Sequence, residues 1–170
     1  MKILITGPPG CGKTTISKSL QSMKIFKNYT LLNLTDHIKK NKLYDFYNEK
    51  LDTHEFDEKM VNENIKQFIK NENNLIIETH TPSVLEDIDL DLIFYLKRPI
   101  KDIISVYKVR GYSQNKIQEN IDCINLDNVL DECIDFLRDP KIIEMDCLDR
   151  AVQEVVDCVS DKFNINKKQI

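Results

Sequence analysis

Gly7-Pro8-Pro9-Gly10-Cys11-Gly12-Lys13-Thr14 is the stretch that decides how this 170-residue chain folds. It satisfies the pattern G-x-x-x-x-G-K-[ST], which has chance matches, so its setting matters. Directly before it, Lys2–Thr6 reads as a buried strand, and directly after it Lys13–Met23 reads as a helix. Strand, glycine-rich loop and helix in that order are the setting the motif requires. Small and constrained residues at 7 to 12 let the backbone wrap around phosphate oxygens. The amides of Gly10, Cys11, Gly12, Lys13, Thr14 and Thr15 converge at a helix N-terminus, where partial positive charge accumulates. Lys13 adds a cation that can reach β- and γ-phosphates, and the Thr14 hydroxyl can ligate magnesium. The bland alternative is a glycine–proline turn before an ordinary helix; the setting favours nucleotide binding.

Working outward, apolar runs and helical patterns alternate along the chain. Leu31–Leu34 reads as a second strand, followed by a brief helix from about Asp36 to Lys42. Phe56, Met60, Val61, Ile65, Phe68 and Ile69 recur at helical spacing. Leu75–Glu78 and Asp91–Lys97 read as strands, and Pro99 suits the first turn of a helix that stops at Gly111. Ser113 can cap one long helix running to Leu137, which Asp139-Pro140 terminates. Ile142–Met145 is a fifth strand, Leu148–Ser160 the closing helix, and Asn164–Ile170, with Lys167-Lys168, a polar tail. Five short strands separated by helices predict an α/β fold, a parallel sheet covered on both faces. The segment from about Asn33 to Phe56 is the least regular long connection, and such connections in compact α/β domains are usually functional.

Composition bounds the rest. At 19.9 kDa, 41% hydrophobic and 31% charged, the chain suits one globular domain, burying roughly 70% of its unfolded surface. No apolar run approaches the ~18–20 residues that span a bilayer, and the N-terminus is too short and alternating for a signal peptide. Five cysteines (11, 123, 133, 147, 158) without a Cys-x-x-Cys pair, and three histidines (37, 54, 80), argue against a structural metal site and for reduced thiols. The formal net charge of -4 argues against strong direct nucleic-acid binding. The charge is uneven: six Lys/Arg against Asp102 from Lys97 to Lys116, and nine acids against Arg138 and Lys141 from Asp122 to Asp149.

A metal-ordering acid belongs at the carboxyl end of a strand beside the loop. Glu78 closes Leu75-Ile76-Ile77 there, two residues before His80. Glu78 can hold a magnesium-bound water and His80 can orient an attacking water or sense a γ-phosphate; otherwise both satisfy loop amides. Cys11 reads first as a space-filler. Tyr44 and Tyr47 either stack on a base or pack the irregular segment.

These residues resemble the adenylate kinase isoenzyme 6 family. Leu43-Tyr44-Asp45-Phe46-Tyr47-Asn48-Glu49 resembles its Leu-Tyr-Asp-x-Tyr-Asp-Glu run, with Asp52 and Asp57-Glu58 at the spacings of the acids that follow. Arg110-Gly111-Tyr112-Ser113, with Lys116-Ile117 and Glu119-Asn120-Ile121, resembles its lid and next helix, and Glu78-Thr79-His80 its Asp-x-His. The resemblance implies a P-loop kinase core with a five-stranded sheet, a monophosphate-binding segment near 33–56 and a short lid near 109–119. It implies transfer of the γ-phosphoryl group of ATP to AMP with Mg2+, giving ADP, and an ATPase activity. Arg110 would approach the transferring group and contact ATP, and Lys39, Tyr44 and Tyr47 would bind AMP. It further implies a role in small-ribosomal-subunit assembly, as kinase or as an ATP-driven switch, beside a platform protein and the pre-ribosomal particle, in nucleus and cytoplasm. The chain departs from the family where Lys39 and Val106 stand for its usual arginines. Lysine keeps the charge without the bidentate fork, and valine keeps neither. Thr81-Pro82-Ser83 replaces its Gly-Cys-Asp, and its tryptophan is absent.

Overall fold

The computed structural model describes residues 1–49, 53–138, 141–146 and 148–163. Asp52, the Asp139-Pro140 stop, Cys147 and the 164–170 tail with Lys167 and Lys168 lie outside the described residues. The elements run β1 (Lys2–Thr6), α1 (Lys13–Gln21), β2 (Thr30–Asn33), α2 (Leu34–Asn41), β3 (Phe46–Asn48), β4 (Thr53–Glu55) and α3 (Glu58–Ile69). They continue with β5 (Leu75–Glu78), β6 (Leu92–Leu96), α4 (Ile100–Val109), α5 (Gln114–Asn125), α6 (Asn128–Phe136), β7 (Ile142–Met145) and α7 (Leu148–Phe163). No helix among the described residues is long and apolar enough to cross a membrane.

Five strands form one parallel sheet in the order β2-β5-β1-β6-β7. A parallel sheet must bury both faces, because its crossover helices cover them, and the central strands β1, β5 and β6 are accordingly buried and apolar along most of their length. In β1, Ile3 and Ile5 point to one side, where they join Ile16 and Leu20 of α1 and Val155 and Val159 of α7. Leu4 points to the other side, with Leu75, Ile77 and Ile93, against Val61 and Ile65 of α3 and Cys133 of α6. The register places Glu78 level with Ile5 of β1 and with Asn33 of β2. The carboxyl ends of three adjacent strands therefore share one edge, where ligands gather in open α/β sheets.

Local chemistry sets the element ends. The Asn33 side chain accepts from Asp36 N at 3.0 Å and starts α2, and that of Asp57 accepts from Met60 N at 3.0 Å and starts α3. Helix α3 thus begins two residues after Phe56, which the periodicity had counted inside it. Phe56 instead sits at the position before the cap and joins the core cluster that holds Val61, as in a hydrophobic staple.

Two expectations are corrected. The single helix from Ser113 to Leu137 is two helices, broken at Leu126-Asp127, with Asp127 in the left-handed region at φ 50. The apolar positions explain the break. Ile117, Ile121 and Ile124 of α5 pack on Ile103 and Tyr107 of α4, whereas Cys133 of α6 and Leu137 just beyond it pack beneath the sheet. One straight helix cannot serve both targets, and Asp tolerates the backbone turn between them. The irregular segment contains an antiparallel pair, β3 with β4, in which Phe46 faces Glu55, Tyr47 faces His54 and Asn48 faces Thr53.

Candidate active site

The phosphate-binding loop leaves β1 at Gly7 and enters α1 at Lys13. Gly7 and Gly10 have φ of 134 and 82, and a side chain at either would meet a neighbour. A Cβ on Gly7 would lie 2.5 Å from Leu96 O, and one on Gly10 would lie 2.9 Å from Cε1 of Tyr107. The loop is therefore shaped by β6 on one side and α4 on the other. Tyr107 also donates its hydroxyl to Pro9 O at 2.6 Å. Burial, then Tyr112, push the Tyr107 phenol far above its ordinary value, so it remains a donor throughout the working range. Arg98, just past β6, reaches Gly10 O at 3.5 Å.

Lys13 is buried, and its ammonium donates to Gly7 O at 2.8 Å and Pro8 O at 2.9 Å. This holds a cation across the mouth of the loop. Cys11 is fully buried, with its sulfur 4.0 Å from Lys13 Nζ, filling space inside the turn. Thr14 and Thr15 open α1 with exposed side chains. The Thr14 hydroxyl donates to Oε1 of Glu78. The other carboxylate oxygen, Oε2, is buried without a hydrogen-bond partner among the described residues. A buried carboxylate oxygen lacking a donor is costly, and a metal-bound water would satisfy it. A hydroxyl and a carboxylate are hard oxygen groups, and this pair fits Mg2+, Thr14 directly and Glu78 through water. No cluster of three or more acidic, histidine or cysteine ligands occurs among the described residues.

His80 keeps more than a third of its surface exposed. Desolvation first, then Lys13 and Lys116, lower its pKa to about 4. The two cations give the same direction by themselves, so the sign does not depend on how far water reaches the ring. At neutral pH the imidazole is uncharged and can accept a proton from water. The depressed value has a consequence for stability. An unfolded histidine protonates near pH ~6.5, so the unfolded state takes up a proton that the native ring resists. The resulting stability is complete above that pH and is lost as pH falls towards 4. The melting temperature of wild type should drop more steeply than that of His80→Gln between pH 6.5 and 4. The difference should stay near 1 kcal/mol, since water screens an exposed ring; parallel curves in that window would contradict it.

The remaining candidates lie further out. Arg110 is exposed where α4 ends and lines a cleft of about 330 Å³ along that helix, with Arg98, Asp102, Ser105, Val106 and Val109. Val106 and Arg110 thus share one cleft, whose wall gains an apolar patch from the valine. Lys39 is exposed in the last turn of α2, the helix that starts at Asn33 beside Glu78. Tyr44 and Tyr47 both pack against the His54 ring, at 4.4 and 5.1 Å between centroids. Tyr44 is also partly buried against the core, whereas Tyr47 is 47% exposed. The structure thus gathers Lys13, Thr14, Glu78 and His80 at one edge, while Arg110 stands on α4 and Lys39, Tyr44 and Tyr47 on the irregular segment. The sequence reading missed Tyr107. Its only signal there was its place four residues after Ile103 on the stripe that packs α4.

Comparisons with known proteins bear on the family and the fold. A protein family described as "AAA domain" matches residues 3–127. A "Putative adenylate kinase" of Methanocaldococcus jannaschii is 31% identical over 169 residues, covering 99% of this chain and 89% of its own length. The adenylate kinase isoenzyme 6 homologue of Saccharomyces cerevisiae is 27% identical over 143 residues, covering 84% of this chain and 71% of its own length. Among solved structures, shikimate kinase from Acinetobacter baumannii aligns with a TM-score of 0.63 at 14% identity, covering 95% of this chain and 93% of that one. Deoxyadenosine kinase from M. mycoides gives 0.59 at 19% identity, covering 96% and 100%. At such identities these two structures speak to the fold alone.

Proposed function

The chain belongs to the adenylate kinase isoenzyme 6 family, and from that premise we propose that it is an ATP:AMP phosphotransferase that also hydrolyses ATP. The observation that carries this reading is the Thr14–Glu78 pair, with a buried oxygen unpartnered among the described residues, beside the Lys13 ammonium. Lys13 and the loop amides bind and orient the triphosphate; Thr14 and Glu78 hold the metal position. Magnesium bound there would offset charge on the β- and γ-phosphates. Arg110 adds a fixed cation from the far side, where charge spreads as the phosphoryl group moves. Lys39 helps to hold the acceptor, and Tyr44 and Tyr47 form the wall it meets. Phosphoryl transfer asks little more of the protein than position and charge, and exclusion of water decides whether AMP or water accepts the group.

A second reading, an ATP-driven switch in small-subunit assembly with little kinase activity, is favoured by the neutral His80 ring, which can orient water. It is also favoured by Val106, which brings no charge to the cleft beside Arg110. Such a switch would act with a ribosomal platform protein in nucleus and cytoplasm. Measuring ADP formation from Mg·ATP with and without AMP, on wild type and His80→Ala, separates the two. The kinase reading expects at least about tenfold stimulation by AMP. Turnover that ignores AMP and collapses in His80→Ala would move the assignment to the switch.

A further inference from the structure

We propose that Tyr107 is a positioning residue for phosphate binding: its hydroxyl holds the Pro9–Gly10 peptide in the orientation that offers the Gly10 amide to the bound phosphates. This rests on the reading that the Gly7–Thr14 loop holds the phosphates of a nucleotide. Residues 8–11 form a β-turn, closed by Cys11 N donating to Pro8 O at 3.3 Å. Pro9 takes its first central position and Gly10, at φ 82, its second. Proline is held at negative φ, so a positive φ at the second central position makes the turn type II. Turns of type I and type II differ by a flip of the central peptide, here Pro9–Gly10, and proline followed by glycine suits either form. The residues of the turn therefore leave the direction of that peptide open.

Tyr107 closes the choice. Its hydroxyl donates to Pro9 O at 2.6 Å, from a fully buried ring that packs with Ile103 against Gly10. Tyr112 stacks on that ring with centroids 5.3 Å apart, which fixes it further. A buried hydroxyl takes some partner; here the partner is the carbonyl whose direction separates the two turns. Every described peptide bond is trans, so the carbonyl and the N–H of one peptide point opposite ways. With Pro9 O drawn to α4, the Gly10 N–H points away from that helix. Gly7 O and Pro8 O accept from the Lys13 ammonium, whereas Pro9 O is withdrawn to Tyr107. A loop that binds an anion through its amides needs such a carbonyl turned outward. In the flipped turn a carbonyl oxygen would replace the Gly10 amide and repel phosphate.

The test compares wild type with Tyr107→Phe, which removes the hydroxyl and keeps the ring, by calorimetric titration with ADP and with inorganic pyrophosphate, each with Mg2+. Tyr107→Phe should weaken both about tenfold, because the effect lies in the seat of the phosphates and not in contacts with the nucleoside. The amide itself supplies a signature, since the chain has four glycines and an NMR spectrum labelled on glycine alone is simple. On saturation with pyrophosphate the wild-type Gly10 N–H signal should move downfield, as a proton shared with an anionic oxygen does, and in Tyr107→Phe it should move less than about half as far. The melting temperature of Tyr107→Phe should fall by no more than about 4 °C. A hydroxyl that only supports the fold would lower the melting temperature and leave both affinities unchanged. Unchanged affinity for either ligand, a loss confined to ADP, or an equal Gly10 shift in the two proteins would each overturn the proposal. So would a wild-type Gly10 signal that ignores bound pyrophosphate, a result that needs no variant. A wild type that binds neither ligand would overturn the phosphate reading beneath the proposal, an outcome distinct from the others.

Discussion

Lys13→Ala should lower kcat/KM for nucleotide-dependent phosphoryl transfer by about 10³-fold or more while barely changing the melting temperature. The two halves of that result have separate causes. The ammonium is the charged side chain built into the loop, and it is buried, so its attraction for phosphate is weakly screened by water. In the folded chain it is seated by two carbonyls, Gly7 O and Pro8 O, with the Cys11 sulfur 4.0 Å away. Removing it leaves those carbonyls without a donor but also relieves the desolvation of a buried charge, and the two effects on stability largely offset. Arginine should not rescue transfer, because a planar fork does not fit a seat built for a compact ammonium. Steady-state ADP formation and a thermal melt on the same samples decide the matter. A loss below tenfold would remove Lys13 from phosphate handling. A collapse in melting temperature would make it a structural lysine.

How far the sequence could be read depended on where each element drew its stability. β1, β5 and β6 were legible because a strand buried on both faces is a short continuous apolar run between turn signals, and each run met those terms. The loop was legible because its glycines, Lys13 and Thr14 are needed as residue types at set spacing. The β3–β4 pair was not. Each strand has three residues, Phe46 is 58% exposed, and the aromatic contacts are made around His54, so no period-2 burial pattern forms. The break at Asp127 was hidden as well, because Ile117 to Leu137 keeps an apolar spacing compatible with one helix. Only the separate destinations of its two halves reveal the turn.

The site shows the same division. Glu78 could be placed from its position at a strand end, but that one of its oxygens is buried without a donor among the described residues is a property of packing. Tyr107 was counted with the core of α4, and it does pack there; its hydroxyl on Pro9 O gives it a second role that no spacing could disclose. Lys116 was read as one charge in a basic stretch, and its place over the Tyr112 ring, 4.3 Å from the centroid, appears only once α4 and α5 fold against each other.

The largest effect on stability is expected from Gly7→Ala, and Gly111→Ala supplies its control. Both glycines have positive φ, 134 and 71, so both substitutions ask an L-residue to adopt a backbone that favours glycine. Gly111 has open space around it, and its replacement should cost about 1 kcal/mol. At Gly7 the added carbon would lie 2.5 Å from Leu96 O and 3.2 Å from Leu96 N, and these are backbone atoms of β6, held by the sheet. Neither can turn aside as a side chain would. The cost should therefore reach about 3 kcal/mol or more, a melting temperature lower by about 6–12 °C against about 2–4 °C for Gly111→Ala. The comparison needs no nucleotide, since the clash belongs to the protein alone. Equal losses at the two positions would mean that the loop yields at Gly7 without disturbing β6. The loop's shape would then have to come from the phosphate it binds, whereas a large difference would show that the sheet builds the cradle before any ligand arrives.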